Sequence, residues 1–139
     1  MPTMLVSFLL VALGGALGAM ARFAMTLLLA RSIIVVPLGT FASNLAGCFL
    51  MGVVVQLLAM PDWSGLGESA TLQHRLFFAV GFCGSFTTLS AMVVEMSTLM
   101  QREEVLSAFV YLCATVLGGF AFFFAGAALI RSVAQTHGG

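Results

Sequence analysis

The chain contains no lysine, and charged residues of all kinds make up only 7% of its 139 residues. A soluble domain carries roughly a quarter charged residues, so this scarcity excludes an ordinary soluble fold. With a formal net charge of zero and no basic patch, the sequence has nothing with which to hold nucleic acid. Cys48, Cys83 and Cys113 lie singly inside apolar stretches without CxxC spacing, and read as small packing residues. His74 at the edge of an apolar stretch and His137 in the C-terminal tail are too isolated to point to a metal site. A glycine-rich phosphate loop and a long internal repeat are lacking as well.

What is present is apolar. Hydrophobic residues account for 61% of the chain, and mean hydropathy is +1.15. Four stretches, about 4–30, 38–60, 76–100 and 105–130, each exceed the ~20 residues needed to cross a hydrocarbon core. The expected fold is therefore an all-α integral membrane protein, a single four-helix transmembrane domain over residues 1–139. Only short turns remain outside the bilayer, which leaves no room for a soluble catalytic or nucleotide-binding domain, so an enzyme is not expected. The first stretch lacks a basic leader and a convincing cleavage site and is read as a retained span.

The third stretch is interrupted. Gly81-Phe82-Cys83-Gly84-Ser85-Phe86-Thr87-Thr88-Leu89-Ser90-Ala91-Met92 places glycines and hydroxyls at bilayer depth. Backbone that leaves a helix inside a membrane loses partners, and it persists only where protein, water or an ion replaces them. The glycines offer unusual backbone angles, and Thr87, Thr88 and Ser90 offer hydroxyls. Glycine and hydroxyl residues also pack membrane helices together, but their density here favours a site.

In the first span Gly14 and Gly18, like Gly15 and Ala19, share a face on which another helix can approach closely, and Arg22 extends the Gly18 row. A charge there costs several kcal/mol unless it snorkels or finds partners, so Arg22 either reaches the interface, caps a helix end or draws an anion. In the second span Thr40, Asn44, Gly47 and Met51 share a face. Asn44 serves as glue between helices or donates its amide N–H to an anion. The link from Pro61 to Gln73, with Asp62, Trp63, Gly65, Gly67 and Glu68, reads as an interfacial turn with an aromatic anchor. Glu95 is the one carboxylate well inside the apolar stretches, either a partner for Arg22, a carboxylate at a pore mouth or part of an ion path. After the turn at Gln101-Arg102-Glu103-Glu104, the fourth span aligns Tyr111, Thr115, Gly118 or Gly119, and Phe122 as a second lining face. Phe120, Phe122, Phe123 and Phe124 point all round that helix and read mostly as lipid or packing contacts.

Orientation is balanced. Outside the spans Arg31 and Arg102 mark one side, and Arg75 and Arg131 the other, so the positive-inside rule is split two against two, or three against two with Arg22. Such a chain is expected to insert both ways and to build an antiparallel homodimer with its two-fold axis in the membrane plane.

These residues resemble the Fluc (CrcB) fluoride channels of bacteria. The likeness rests on Gly14-Gly15-Ala16-Leu17-Gly18-Ala19-Met20-Ala21-Arg22-Phe23, on Gly39-Thr40 with Asn44 and Gly47, and on Gly81 through Thr88, in order on four spans. The resemblance implies a multi-pass protein of the bacterial inner membrane, an antiparallel homodimer with two pores that passes fluoride passively out of the cytoplasm. It also implies a structural sodium ion at the dimer centre, held by the backbone carbonyls of Gly84 and Thr87. Asn44, Ser90, Tyr111 and Thr115 would line the fluoride path, and Arg22 and Glu95 match charged positions of the family. The family usually continues Phe-Ser-Thr-Phe with aromatic edges along the path, whereas this chain has Leu89-Ser90-Ala91-Met92. Leu89 and Met92 thus imply slow conduction by the homodimer, or a second, aromatic-bearing homologous subunit that completes the pores.

The physics agrees with such a site. Fluoride holds its water strongly, so a pore must offer O–H, N–H or ring-edge groups in exchange. The main rival is a small dual-topology coupled exporter that moves organic cations or couples fluoride to protons, which needs a titratable carboxylate in a central cavity. The first two spans have none and Glu95 lies toward one end of the third, which favours a passive channel.

Overall fold

The computed structural model describes residues 2–30, 37–60 and 67–137. Arg31, one of the orientation markers, and Pro61, Asp62, Trp63 and Gly65 of the expected interfacial turn lie outside the described residues. An apolar chain in hydrocarbon must satisfy each backbone N–H within its own segment, and helices do so. Helix α1 runs over Pro2–Leu29 and α2 over Leu38–Leu58. The third span is built in pieces: α3 (Glu68–His74), a π-helical segment (Arg75–Cys83), α4 (Gly84–Phe86) and α5 (Leu89–Gln101). Helix α6 spans Val105–His137. The described residues contain no strand, and four helical stretches are long and apolar enough to cross a membrane.

Two extents differ from the sequence reading. The link was expected to stay irregular to Gln73, yet Glu68–His74 is helical and leads directly into the third span. Hydropathy falls after Ile130, yet α6 continues through 33 residues, about 50 Å at 1.5 Å per residue. That exceeds a hydrocarbon core of about 30 Å, so its polar C-terminal turns project beyond it. Arg131 marks the exit, and its Nε donates to Gln56 Oε1 of α2 at 2.9 Å.

The helices meet through glycine. A methyl group on Gly14 would collide with the Phe77 carbonyl, one on Gly18 with the Phe82 carbonyl, and one on Gly81 with the Val11 carbonyl. The row read from the sequence is thus the seam between α1 and the π-helical segment. Helices α2 and α6 cross in the same way, with Gly52 against the Phe123 carbonyl and Gly126 against the Phe49 carbonyl. Lipid tails are as apolar as side chains, so close van der Waals contact and weak C–H···O contacts must hold these helices together.

Helices α5 and α6 join in a tight turn. Arg102 caps α5, and Glu103 takes φ of 63°, in the left-handed region. Glu104 N–H then donates to the Leu99 carbonyl at 2.9 Å and Glu103 N–H to the Met100 carbonyl at 3.1 Å, closing the helix end. The return packs Ala108 and Tyr111 of α6 on Met92 and Leu99 of α5, with Phe41, Met96 and Leu112 around them. Elsewhere much of the apolar surface is exposed on the single chain, including Phe8, Met20 and Leu28 of α1 and Leu106 and Leu117 of α6.

Candidate functional site

The third span gives way at two threonines. Thr87 has φ −85° and ψ 153°, and Thr88 has φ −152° and ψ 120°, both extended. The glycines do not supply the irregular backbone. Gly84 is helical with φ −62°, and the one glycine with positive φ among the described residues is Gly67. Gly81 serves close approach, and the loosened π-helical turn ahead of the break ends in a helical stretch too short to carry the ladder onward.

Several backbone groups freed by the break take partners from elsewhere in the chain. In a continuous helix the Thr88 N–H would reach the Gly84 carbonyl; here it donates to Asn44 Oδ1 at 2.7 Å. Asn44 Nδ2 donates back to the Thr88 carbonyl at 3.2 Å, so the buried amide clamps one residue in both directions and its orientation is fixed. The Ser85 carbonyl accepts from Arg22 Nε at 3.1 Å, which makes the half-buried arginine a helix cap. Thr87 folds back on its own helix, its N–H donating to the Cys83 carbonyl at 3.1 Å and its Oγ1 to the same oxygen at 3.0 Å. Thr88 Oγ1 starts α5 as an N-cap by accepting the Ala91 N–H at 3.2 Å. That bond takes away the donor that a helix would have given the Thr87 carbonyl. The carbonyls of Gly84 and Thr87 have therefore both lost their helical donors. At Gly84 the side is open, since an added Cβ would meet nothing closer than the Ala79 carbonyl oxygen at 3.7 Å.

Beside the break, α5 and α6 part to leave a groove of about 540 Å³. Asn44, Thr87, Leu89, Met92 and Thr115 line it together, as do Thr88 and Cys48. Ser90 is exposed next to it, with Oγ 3.2 Å from Thr88 Oγ1. Leu89 and Met92 differ: Leu89 is 70% exposed at the groove, while Met92 is 3% exposed and belongs to the packed cluster under it. The sequence reading missed Phe120, Phe123 and Phe124, which line the α6 wall together with Thr115, Val116 and Gly119. Phenylalanines distributed all round a helix give no face by periodicity, so only the packing picks out these three.

A second polar cluster stands apart from the groove. Glu95 accepts from Thr40 Oγ1 at 2.5 Å through Oε1 and from Tyr111 O–H at 2.8 Å through Oε2. The carboxylate thereby ties α2, α5 and α6 together, and Tyr111 stacks obliquely on Phe41 with ring centroids 6.2 Å apart. Arg22 is engaged at Ser85, so the Arg22 and Glu95 side chains hold different partners. Thr40 stood on the polar face read from the sequence, but its link to Glu95 joins residues 55 apart and leaves no local spacing to find.

Four apolar helical spans, the third broken and pinned by polar side chains from the first two, define a small polytopic membrane protein with a discontinuous third span. The chain belongs to the CrcB family: the family model described as CrcB-like protein, Camphor Resistance (CrcB), matches residues 9–127. It is 39% identical over 123 residues to the fluoride-specific ion channel FluC of Chlorobium phaeobacteroides (strain DSM 266 / SMG 266 / 2430), a match that covers 86% of this chain and 88% of that one. The FluC proteins of Paracoccus denitrificans (strain Pd 1222) and Hyphomonas neptunium (strain ATCC 15444) are 37% and 39% identical over 127 residues, covering 91% of this chain and 96% of each relative.

Proposed function

We propose that the chain is the subunit of a passive, fluoride-selective channel of the bacterial inner membrane, which lets fluoride leave the cytoplasm down its gradient. The observation that carries this reading is the Asn44 clamp on Thr88, which holds a broken span rigid beside a groove open along the chain's surface. A conducting site needs fixed dipoles that replace the ion's water without reorganising, and a backbone pinned from two other helices supplies a rigid frame. Family membership and relatives named as fluoride channels support the same ion.

The working unit in this reading is an antiparallel homodimer with two pores. The groove is closed by only one chain on its inner side, long apolar faces are uncovered, and the arginines are balanced between the two ends. A structural sodium ion at the dimer centre fits the donor set, because the Gly84 and Thr87 carbonyls have lost their helical donors and Gly84 leaves its side open. Oxygen ligands of this kind suit a hard cation, and the bound ion would supply positive potential near the anion path. Within this chain Arg22 holds Ser85 and Asn44 holds Thr88, so the backbone that carries the Gly84 and Thr87 carbonyls is held in a fixed frame.

The coupled-exporter reading requires a carboxylate that moves protons from a central cavity. Glu95 is instead held by two hydroxyls outside the groove lining, which favours the passive reading. The heteromeric reading, in which a homologous subunit completes the pores, is favoured by one observation, the aliphatic Leu89 at the groove. Fluoride efflux from liposomes, followed with a fluoride electrode, tests the proposal. Efflux from the purified homodimer that does not depend on a proton gradient is expected. Efflux that stops without a proton gradient would establish the exporter, and efflux gained only on adding a second subunit would establish the heteromer.

A further inference from the structure

The groove is poorer in free donors than its residues imply. An anion that gives up water must meet the positive ends of dipoles, and a hydroxyl has one proton to offer. Thr87 directs its proton to the Cys83 carbonyl at 3.0 Å, and Thr115 directs its own to the Tyr111 carbonyl at 2.7 Å. Both threonines therefore keep only oxygen lone pairs for an occupant of the groove. One of the two Asn44 amide hydrogens is held by the Thr88 carbonyl at 3.2 Å, which leaves the other. Thr88 Oγ1 accepts the Ala91 N–H and contacts Ser90 Oγ at 3.2 Å, so one proton of that hydroxyl pair is spent on the contact and the other is left. Leu89 and Met92 donate nothing.

The Cys48 thiol offers one weak S–H donor, and the remaining positive groups are ring edges. A phenyl ring is negative on its faces and positive along its edge, and three rings of α6 line the groove. Phe123 is partly buried, with its carbonyl pressed against Gly52. Phe120 and Phe124 stand one turn apart on the same row, 63% and 64% exposed. Phe124 meets Phe123 edge to face at 84° with centroids 5.6 Å apart, so a packed neighbour sets the plane of its ring. We propose that Phe120 and Phe124 are specificity-determining residues of this chain, and that their ring edges meet the anion in the groove opposite Leu89 and Met92. The proposal rests on the fluoride reading. It moves the aromatic contribution from α5 to α6, and it accounts for a conducting groove whose hydroxyl protons are largely committed elsewhere.

The test compares the parent with Phe120→Leu/Phe124→Leu and with a protein carrying pentafluorophenylalanine at both positions, each reconstituted in liposomes and followed with a fluoride electrode. Leucine removes the ring, while perfluorination keeps its shape and reverses the sign of its edge. Both variants are expected to lose fluoride efflux about tenfold, as two weakened edge contacts imply, while eluting on gel filtration as the parent does. If either variant assembles normally and conducts at the parent rate, the rings are lipid or subunit packing and the proposal is overturned. Should the leucine pair fail to assemble, the fluorinated protein decides alone, because its rings fill nearly the same space. A parent without fluoride efflux overturns the fluoride reading itself, an outcome distinct from variants that match a conducting parent.

Discussion

Helices α1 and α6 both present glycines to the rest of the chain, and the contacts those glycines make are of two kinds. On α1, Gly14 and Gly18 lie against the carbonyls of Phe77 and Phe82, so backbone meets backbone. Farther along α6, Gly126 meets the Phe49 carbonyl in the same manner. Gly118 and Gly119 of α6 instead face side chains, the Leu45 methyls and Cys48 Sγ, and Gly119 with Cys48 lines the groove. A glycine against a carbonyl fixes the distance between two helices, because neither atom can move without moving a chain. A glycine against a side chain leaves a wall that rotamers can adjust. The closed seams therefore hold the frame, and the open α5–α6 side is where substitution can change function without destroying it.

The strongest challenge to this division is Gly52→Leu. Its side chain would have to displace the Phe123 backbone, and it is expected to cost more than ~3 kcal/mol. Thermal gel filtration in detergent should show little monodisperse protein. Gly84→Ala is the matching substitution on an open side, where the nearest heavy atom is 3.7 Å from the added methyl. It should leave the single chain folded, with apparent Tm near the parent's. Equal tolerance of both changes would remove the distinction between seam and open side.

Asn44→Asp follows in size. It replaces the Nδ2 donor with an oxygen facing the Thr88 carbonyl, at an expected cost of about 1–3 kcal/mol, and puts negative charge beside the groove. Fluoride efflux should fall at least tenfold while assembly suffers less than in Gly52→Leu. Parental efflux from a well-assembled variant would mean that the clamp on Thr88 is dispensable for transport.

Leu89→Phe and Met92→Phe separate the groove from the packing beneath it. Leu89 is exposed, so a ring there adds an edge to the groove, and efflux should rise severalfold with unchanged Tm. Met92 is packed on Leu99, Ala108 and Tyr111, so a ring there should lower stability by about 1–3 kcal/mol before it can help conduction. A matching rise in efflux from both would show that the cluster is looser than its burial implies.

Much of this arrangement was legible in the sequence because it follows helical spacing. Gly14, Gly18 and Arg22 form one row, and the structure uses that row as a seam ending in the cap on Ser85. The break was legible as a cluster of glycines and hydroxyls, but the division of labour within it was not. The glycines stay helical and the threonines turn extended, because the partners that make this favourable come from Asn44 and Arg22 on other helices. Hydropathy registers no difference between α and π ladders, so the segment Arg75–Cys83 had no signal. The ends of α3 and α6 lie in polar sequence, where the helix continues for backbone reasons after the apolar pattern has stopped.

The smallest expected effect concerns the turn that sets the open side. Glu103 holds φ of 63° between α5 and α6, a conformation that crowds its Cβ and favours glycine. The bonds from Glu103 and Glu104 N–H to the Met100 and Leu99 carbonyls need this backbone but not a glutamate side chain. Glu103→Gly should therefore stabilise the chain by about 0.5–1 kcal/mol, the relief of left-handed strain less the greater freedom of glycine when unfolded. Apparent Tm should rise slightly and fluoride efflux should stay at the parent rate, since the turn fixes where α6 begins and the groove lies beyond the cluster of Met92, Leu99, Ala108 and Tyr111. If Tm rises and efflux falls, the glutamate side chain acts on transport itself. If Tm falls, that side chain contributes more to the turn than its backbone strain removes, and the α5–α6 spacing depends on more than the hydrogen bonds that close the helix end.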